Sequence, residues 1–100
     1  MYTVSLKPKA AKYIEKQSDK IKRQLIGQIE KLEKNPRPQN CVELHREKQI
    51  YRVKSGNYRI IYQIQDRKLI VLVATVGDRK DIERIYRNLT DYAKNFPSPR

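Results

Sequence analysis

The sequence predicts a small α+β domain: a twisted, mainly antiparallel sheet of about four to five strands, with an N-terminal helical hairpin and a C-terminal helix. Three observations predict it. From Ile50 to Tyr86 the chain reads IYRVKSGNYRIIYQIQDRKLIVLVATVGDRKDIERIY, in which Gly56-Asn57 and Asp66-Arg67 punctuate runs rich in Ile, Val and Tyr. Upstream, Ile21, Leu25, Ile29 and Leu32 recur at the 3.6-residue period of an amphipathic helix. Downstream, Ile82, Ile85, Tyr86, Leu89, Tyr92 and Ala93 form a second apolar helical face over 80–94.

Taken in order, Tyr2 to Leu6 alternates as a short strand that joins the sheet, and Pro8 suits the first turn of a helix carrying Ala10, Tyr13 and Ile14. Ser18 is the expected N-cap of the longer helix, which ends near Asn35, before Pro36. Two prolines stiffen the loop 35–40. Cys41 to His45 reads as a strand and Arg46-Glu47-Lys48 as the turn into the hairpins. The strand Leu69 to Val76 is apolar on both faces and is expected inside the sheet, covered on both sides. Gly77-Asp78 breaks it. Residues 1–94 are expected as one domain and 95–100 as a flexible tail.

The turns set the register. A two-residue loop at Gly56-Asn57 pairs Ser55 with Tyr58, Lys54 with Arg59, Val53 with Ile60, Arg52 with Ile61 and Tyr51 with Tyr62. Tyr51, Val53, Ile60 and Tyr62 then share one face, and Arg52, Lys54 and Arg59 the other. A similar turn at Asp66-Arg67 sets Ile64 against Leu69, Tyr62 against Val71, Ile60 against Val73 and Arg59 against the small Ala74. Like charges directly opposite in a sheet cost about 0.2–1 kcal/mol per pair. An anion arriving beside Lys54 and Arg59 would relieve that penalty; on charge alone, three side chains splayed into water is the simpler reading.

Composition narrows the partners. The chain carries 23 Lys and Arg against 11 Asp and Glu, a net charge of +12, which calls for a polyanion such as nucleic acid or an acidic protein. On the long helix Lys20, Arg23, Lys31 and Lys34 fall opposite the apolar face, with Gly27 among them. A contact to a sugar-phosphate backbone and an ordinary solvated face both fit this stripe. No apolar run is long enough to span a bilayer, the N-terminus lacks the regions of a signal peptide, and the single Cys41 has no partner for a disulfide. A cytoplasmic protein without membrane contact is the expectation.

The usual catalytic inventory is missing. His45 stands alone without Cys or carboxylate ligands at metal spacing, and Cys41 has no identifiable activating base, so no metal and no cofactor are expected. What remains is a cluster of cations with tyrosines near it. Arg79 follows the last strand, and Tyr86 comes seven residues later, on nearly the same side of a helix. If that helix packs beside the basic face, Arg52, Lys54, Arg59, Arg79 and Tyr86 converge. Such a set suits RNA cleavage by the substrate's own 2′-hydroxyl: guanidiniums neutralise the pentavalent phosphate and the departing 5′-oxygen. Arginine holds its proton too tightly to act as a base, which leaves Lys54 as the better proton acceptor. Tyr86 either contacts the nucleotide or, as periodicity favours, fills the helix–sheet interface.

These residues carry a resemblance. Leu32-Glu33-Lys34-Asn35-Pro36-Arg37, the Leu44 segment, Tyr51-Arg52-Val53-Lys54, Gly56-Asn57-Tyr58-Arg59-Ile60-Ile61-Tyr62 and Val76-Gly77-Asp78-Arg79-Lys80-Asp81 make nearly the whole chain similar to the RelE/ParE toxin superfamily, in particular its RelE-like branch. The resemblance implies a microbial RNase-like fold and a toxin of a type II toxin-antitoxin system. It implies a ribosome-dependent endonuclease that cuts mRNA in the A site, leaving a 2′,3′-cyclic phosphate and a 5′-hydroxyl without metal. It also implies catalytic roles for Arg52, Lys54, Arg59, Arg79 and Tyr86, the last standing farther from Arg79 than in the best-known members. The implied partners are an acidic RelB-like antitoxin, the ribosome with its 16S rRNA, mRNA, and operator DNA through the antitoxin only. Two alternatives share the pattern: a ParE-type toxin that binds DNA gyrase without nuclease activity, and a non-enzymatic rRNA-binding protein.

Overall fold

In the computed structural model, which describes residues 1–100, the chain runs β1 (Thr3–Leu6), α1 (Pro8–Glu15), α2 (Asp19–Lys34), β2 (Cys41–His45), β3 (Ile50–Ser55), β4 (Tyr58–Gln65), β5 (Ile70–Asp78), α3 (Arg79–Tyr86) and α4 (Leu89–Ala93). The five strands form one sheet in the order β1-β5-β4-β3-β2, antiparallel except for the parallel pair β1 and β5. This is the expected α+β domain. Ser18 caps α2, its hydroxyl accepting from the Ile21 backbone N–H at 3.3 Å.

Alternation along the strands sorts the apolar side chains onto two faces. On one, Leu25, Ile29 and Leu32 of α2 and Ala10 and Ile14 of α1 pack on Tyr51, Val53, Ile60, Tyr62, Val71 and Val73. On the other, Ile82 of α3, Ala93 of α4 and Phe96 cover Ile50, Ile61 and Ala74. β5 is therefore flanked by strands on both edges and by helices on both faces, as its unbroken apolar run requires.

The β3–β4 register is the expected one, from Ser55 against Tyr58 to Tyr51 against Tyr62. The β4–β5 register is not. Asp66–Lys68 form a 3₁₀ turn and Leu69 closes it in the left-handed region at φ 54°, so the loop is four residues long and Tyr62 faces Val73, not Val71. A bulge then leaves Ala74 unpaired between Val73 and Thr75, which moves Ile60 onto Val76 and Arg59 onto Gly77 instead of Ala74. Both corrections come from turn and bulge geometry, which apolar alternation does not encode.

The C-terminal part also departs from expectation. The helix anticipated over 80–94 is two: Asn88, at φ −142° and ψ 46°, leaves the helical region and separates α3 from α4. The stretch 95–100, expected to fray, is held as far as Pro97. Phe96 is 4% exposed and meets Tyr92 edge-on, with ring centroids 5.2 Å apart. Lys48 Nζ donates to the Phe96 carbonyl at 2.9 Å, and Gln63 Nε2 to that of Pro97 at 2.8 Å. The Lys7 ammonium lies 4.6 Å from the Phe96 ring centroid.

At the end of the sheet away from the β3–β4 turn, Arg37 ties four segments together. Its terminal nitrogens donate to both Asp66 oxygens at 3.2 and 2.9 Å, and its Nε donates to Tyr51 Oη at 3.1 Å. Tyr2 Oη donates to Asp66 Oδ1 at 2.6 Å. The Arg37 guanidinium, then the Tyr2 hydroxyl, hold the Asp66 carboxyl below its ordinary value. A carboxyl depressed in the folded state stabilises fully above the ordinary carboxylate range and loses that contribution as pH falls through the folded value. Because both partners are well exposed, the effect is modest. Urea midpoints measured against pH are expected to fall in acid for the wild type, and to be lower at neutral pH but flatter in acid for Asp66→Asn.

Candidate functional site

The site is built at the opposite end of the sheet, where the β3–β4 turn and the β5–α3 junction come together. Gly56, at φ 61°, takes the first central position of the turn, where only glycine is unstrained. A Cβ there would come within 2.5 Å of Gln24 Nε2, so α2 lies directly against the turn; Gln24 Nε2 donates to Ser55 Oγ at 3.4 Å. The register then sets Lys54 opposite Arg59 and Arg59 opposite Gly77, which has no side chain to crowd it.

β5 passes into α3 without a loop. Asp78 is the N-cap, its Oδ1 accepting from the Asp81 backbone N–H at 3.0 Å, so Arg79 and Lys80 occupy the first helical turn. Lys54, Arg59, Arg79 and Lys80 line one groove of about 490 Å³, completed by Asp78 and by the Gly56-Asn57 turn and with no hydrophobic residue in its walls. Four cations against one carboxylate give it a net positive charge. Arg79 has one protein partner, Glu83, at 3.4 Å on the exposed side of α3. Bonds of that kind are weak and readily exchanged for a ligand.

The five residues expected to converge separate into two sets. Lys54, Arg59 and Arg79 meet in the groove; Arg52 and Tyr86 do not line it. Arg52 lies two residues deeper on the same sheet face, half-buried, with its Nε buried and unpartnered. Tyr86 packs against the apolar layer of α3 and α4, its hydroxyl likewise buried and unpartnered. Seven residues of helix return it to the side of Arg79 but carry it about 10 Å along the axis. Lys80 and Asn57 belong to the groove and were missed. For Lys80 the signal was its place beside Arg79; Gly77-Asp78, expected to break the strand, instead pair with Arg59 and Tyr58 as the end of β5.

Lys20, Arg23, Lys31 and Lys34 are all exposed on α2, but the stripe is not uniform. Lys20 and Arg23 sit in the half of the helix that reaches the β3–β4 turn through Gln24. Lys31 and Lys34 border a shallow depression with Gly27 and the acidic Glu30 and Glu33. A buried polar hydroxyl without a partner costs more than it contributes. Tyr86→Phe is therefore expected to keep stability, whereas Tyr86→Ala, which opens a void under α3, loses it; parallel melting curves check this, and equal losses would instead implicate the hydroxyl.

The family comparison decides among scaffolds that carry such a groove. A family model described as the ParE toxin of a type II toxin-antitoxin system, parDE, matches residues 4–83. The chain belongs to this family, within the RelE/ParE superfamily. The toxin's structure is similar to that of a double mutant of Escherichia coli RelE in the free state, at 26% identity and a TM-score of 0.71, covering 91% of this chain and 96% of that one. It is also similar to RelE in the intact E. coli RelBE toxin-antitoxin complex, with 28% identity, a TM-score of 0.67 and coverage of 78% and 96%. The archaeal RelE of the RelE-RelB complex from Pyrococcus horikoshii, at 20% identity, shares the fold with a TM-score of 0.72 over 78% and 94% of the two chains. No curated protein sequence matches the chain significantly. The protein is thus a type II toxin with the fold of the RelE structures, and no helix is long and apolar enough to cross a membrane.

Proposed function

We propose that this toxin is an endoribonuclease that acts in the cytoplasm on mRNA in the ribosomal A site, stopping translation, and that an acidic RelB-like antitoxin holds it inactive. The observation that carries this reading is the meeting of Lys54, Arg59 and Arg79 in one polar groove, built from three different elements. A cross-strand Lys–Arg pair is destabilising unless an anion lies against it, and a phosphodiester supplies that anion.

In the proposed reaction the substrate 2′-hydroxyl gives its proton to Lys54 and its oxygen bonds to phosphorus. Arg59 stabilises the charge on the pentavalent phosphate. The bond to the 5′-oxygen breaks toward Arg79, whose guanidinium holds the alkoxide until solvent returns a proton. The products are a 2′,3′-cyclic phosphate and a 5′-hydroxyl. Four cations and one carboxylate are a poor donor set for a divalent metal, which favours chemistry by side chains alone. Arg52 and Tyr86 act from behind the groove as positioning residues, and Lys20, Arg23, Lys31 and Lys34 contact RNA backbone, with Lys20 and Arg23 nearest the site. The groove has no paired acid and base of the usual kind, which is why the ribosome is assigned the work of aligning the RNA. Operator DNA is reached through the antitoxin.

The match to the ParE model favours one other reading, a toxin that binds DNA gyrase and cuts no RNA. Primer extension on mRNA after induced expression separates the two. Discrete breaks within codons bearing 5′-hydroxyl ends are expected; DNA damage without them would establish the gyrase reading, and equal cutting of naked mRNA would remove the ribosome from the mechanism.

A further inference from the structure

The outer face of α2 carries a pattern that the fold does not require. Lys20 and Arg23 lie seven and four residues before Gly27, and Lys31 and Lys34 four and seven after it, so at about 100° per residue all four stand within about 40° of the glycine. The pair Lys20–Arg23 and the pair Lys31–Lys34 are centred about 16 Å apart along the axis. All four are exposed, and none enters an ion pair, although Glu30 is one turn from Lys34.

Gly27 has no structural reason to be glycine. A Cβ there would meet nothing within 4 Å, and its backbone is ordinary right-handed helix. Only proline is less favourable in a helix interior. The residue floors a depression of about 480 Å³ that Glu30, Lys31, Glu33 and Lys34 complete without any hydrophobic lining. A helix with no side chain between two pairs of free cations can bring its backbone against a partner at that point.

The chemistry of the face names the partner. Its ends are cationic and its centre is not, because the exposed Glu30 stands beside Gly27, about 60° round the helix. A phosphate chain or an acidic helix lying along the whole face would meet that carboxylate, whereas a hydroxyl would donate to it. Double-stranded RNA matches both features: its minor groove is wide and shallow, with a phosphate rail on either side and 2′-hydroxyl donors between them. The minor groove of B-form DNA is only about 6 Å wide and has no 2′-hydroxyl, so it matches neither the spacing of the cation pairs nor the carboxylate.

We propose that α2 is a docking surface for double-stranded RNA, laid across the minor groove with Gly27 against its floor. Lys20 and Arg23 hold one phosphate rail, Lys31 and Lys34 hold the other, and Glu30 accepts from 2′-hydroxyls. This face shares no residue with the groove of Lys54, Arg59 and Arg79, and its role is independent of what that groove cuts.

The test is fluorescence anisotropy of the purified toxin, at one salt concentration, with an RNA duplex of about 20 base pairs and the DNA duplex of the same sequence. The wild type is expected to bind the RNA duplex about tenfold tighter, the effect of a charge-assisted bond that DNA cannot make. Gly27→Gln, which suits a helix better and should melt no lower, loses about tenfold on the RNA duplex because its side chain holds both cation pairs off the rails. Glu30→Ala brings the RNA and DNA affinities to within about threefold of each other. Equal binding of the two duplexes by the wild type, or full RNA affinity in Gly27→Gln, overturns the proposal. A Gly27→Gln defect confined to antitoxin binding also overturns it and assigns the face to an acidic protein. Cleavage is not scored in any arm, so each of these outcomes leaves the endoribonuclease reading as it stands.

Discussion

Arg59→Ala and Arg79→Ala are each expected to lower mRNA cleavage by about 10²–10³-fold, the usual cost of removing one donor aimed at charge that develops in a transition state. Growth arrest should disappear with it, while folding and antitoxin binding persist. Arg59 stands against Gly77, and Arg79 holds only the exposed bond to Glu83, so neither supports the core. Lysine at either position keeps the charge but loses the planar fork that grips two phosphate oxygens, and should give an intermediate rate. Thermal melts run beside single-turnover cleavage separate the two effects. Full toxicity of both alanine variants would sink the nuclease reading and fit the gyrase alternative, which has no need of these guanidiniums.

Phe96→Ala is expected to produce the largest loss of stability of any change outside the main helix–sheet core, about 3 kcal/mol or somewhat more. For a domain of this size that lowers the melting temperature by on the order of 12 °C. The ring fills the layer between α4 and the sheet, stacks edge-on with Tyr92 and carries the Lys7 ammonium, so no nearby side chain can replace it. The effect reaches the site through α3, whose Ile82 shares that layer and whose first turn supplies Arg79 and Lys80. Removing only Pro99 and Arg100 should change stability by less than about 0.5 kcal/mol. A Phe96→Ala loss below about 1 kcal/mol would mean that the C-terminal segment spends much of its time undocked.

How much of this was readable beforehand differs from element to element. The Ile21–Leu25–Ile29–Leu32 stripe and the Ser18 cap marked α2 because helix period and capping are local properties of a few residues. The Lys54–Arg59 pair followed from a two-residue glycine turn, whose geometry leaves one register. The β4–β5 register was missed because β5 is apolar at consecutive positions, so neither the longer 3₁₀ turn nor the one-residue shift of the bulge leaves a mark in its pattern. The docked Phe96 was missed because a single aromatic in a proline-bounded tail looks the same whether packed or free.

The order of apolar and polar residues was therefore sufficient for the α+β class, for two helical faces and for a cationic pair across β3 and β4, since each depends on neighbours a few positions apart. Only the folded chain decided that Lys80 and Asp78 join that pair in the groove while Arg52 and Tyr86 stay behind it. Lys80 and Tyr86 are placed by how far α3 carries a side chain from the end of β5, and Arg52 by its depth on β3, distances set by packing between segments far apart in the chain.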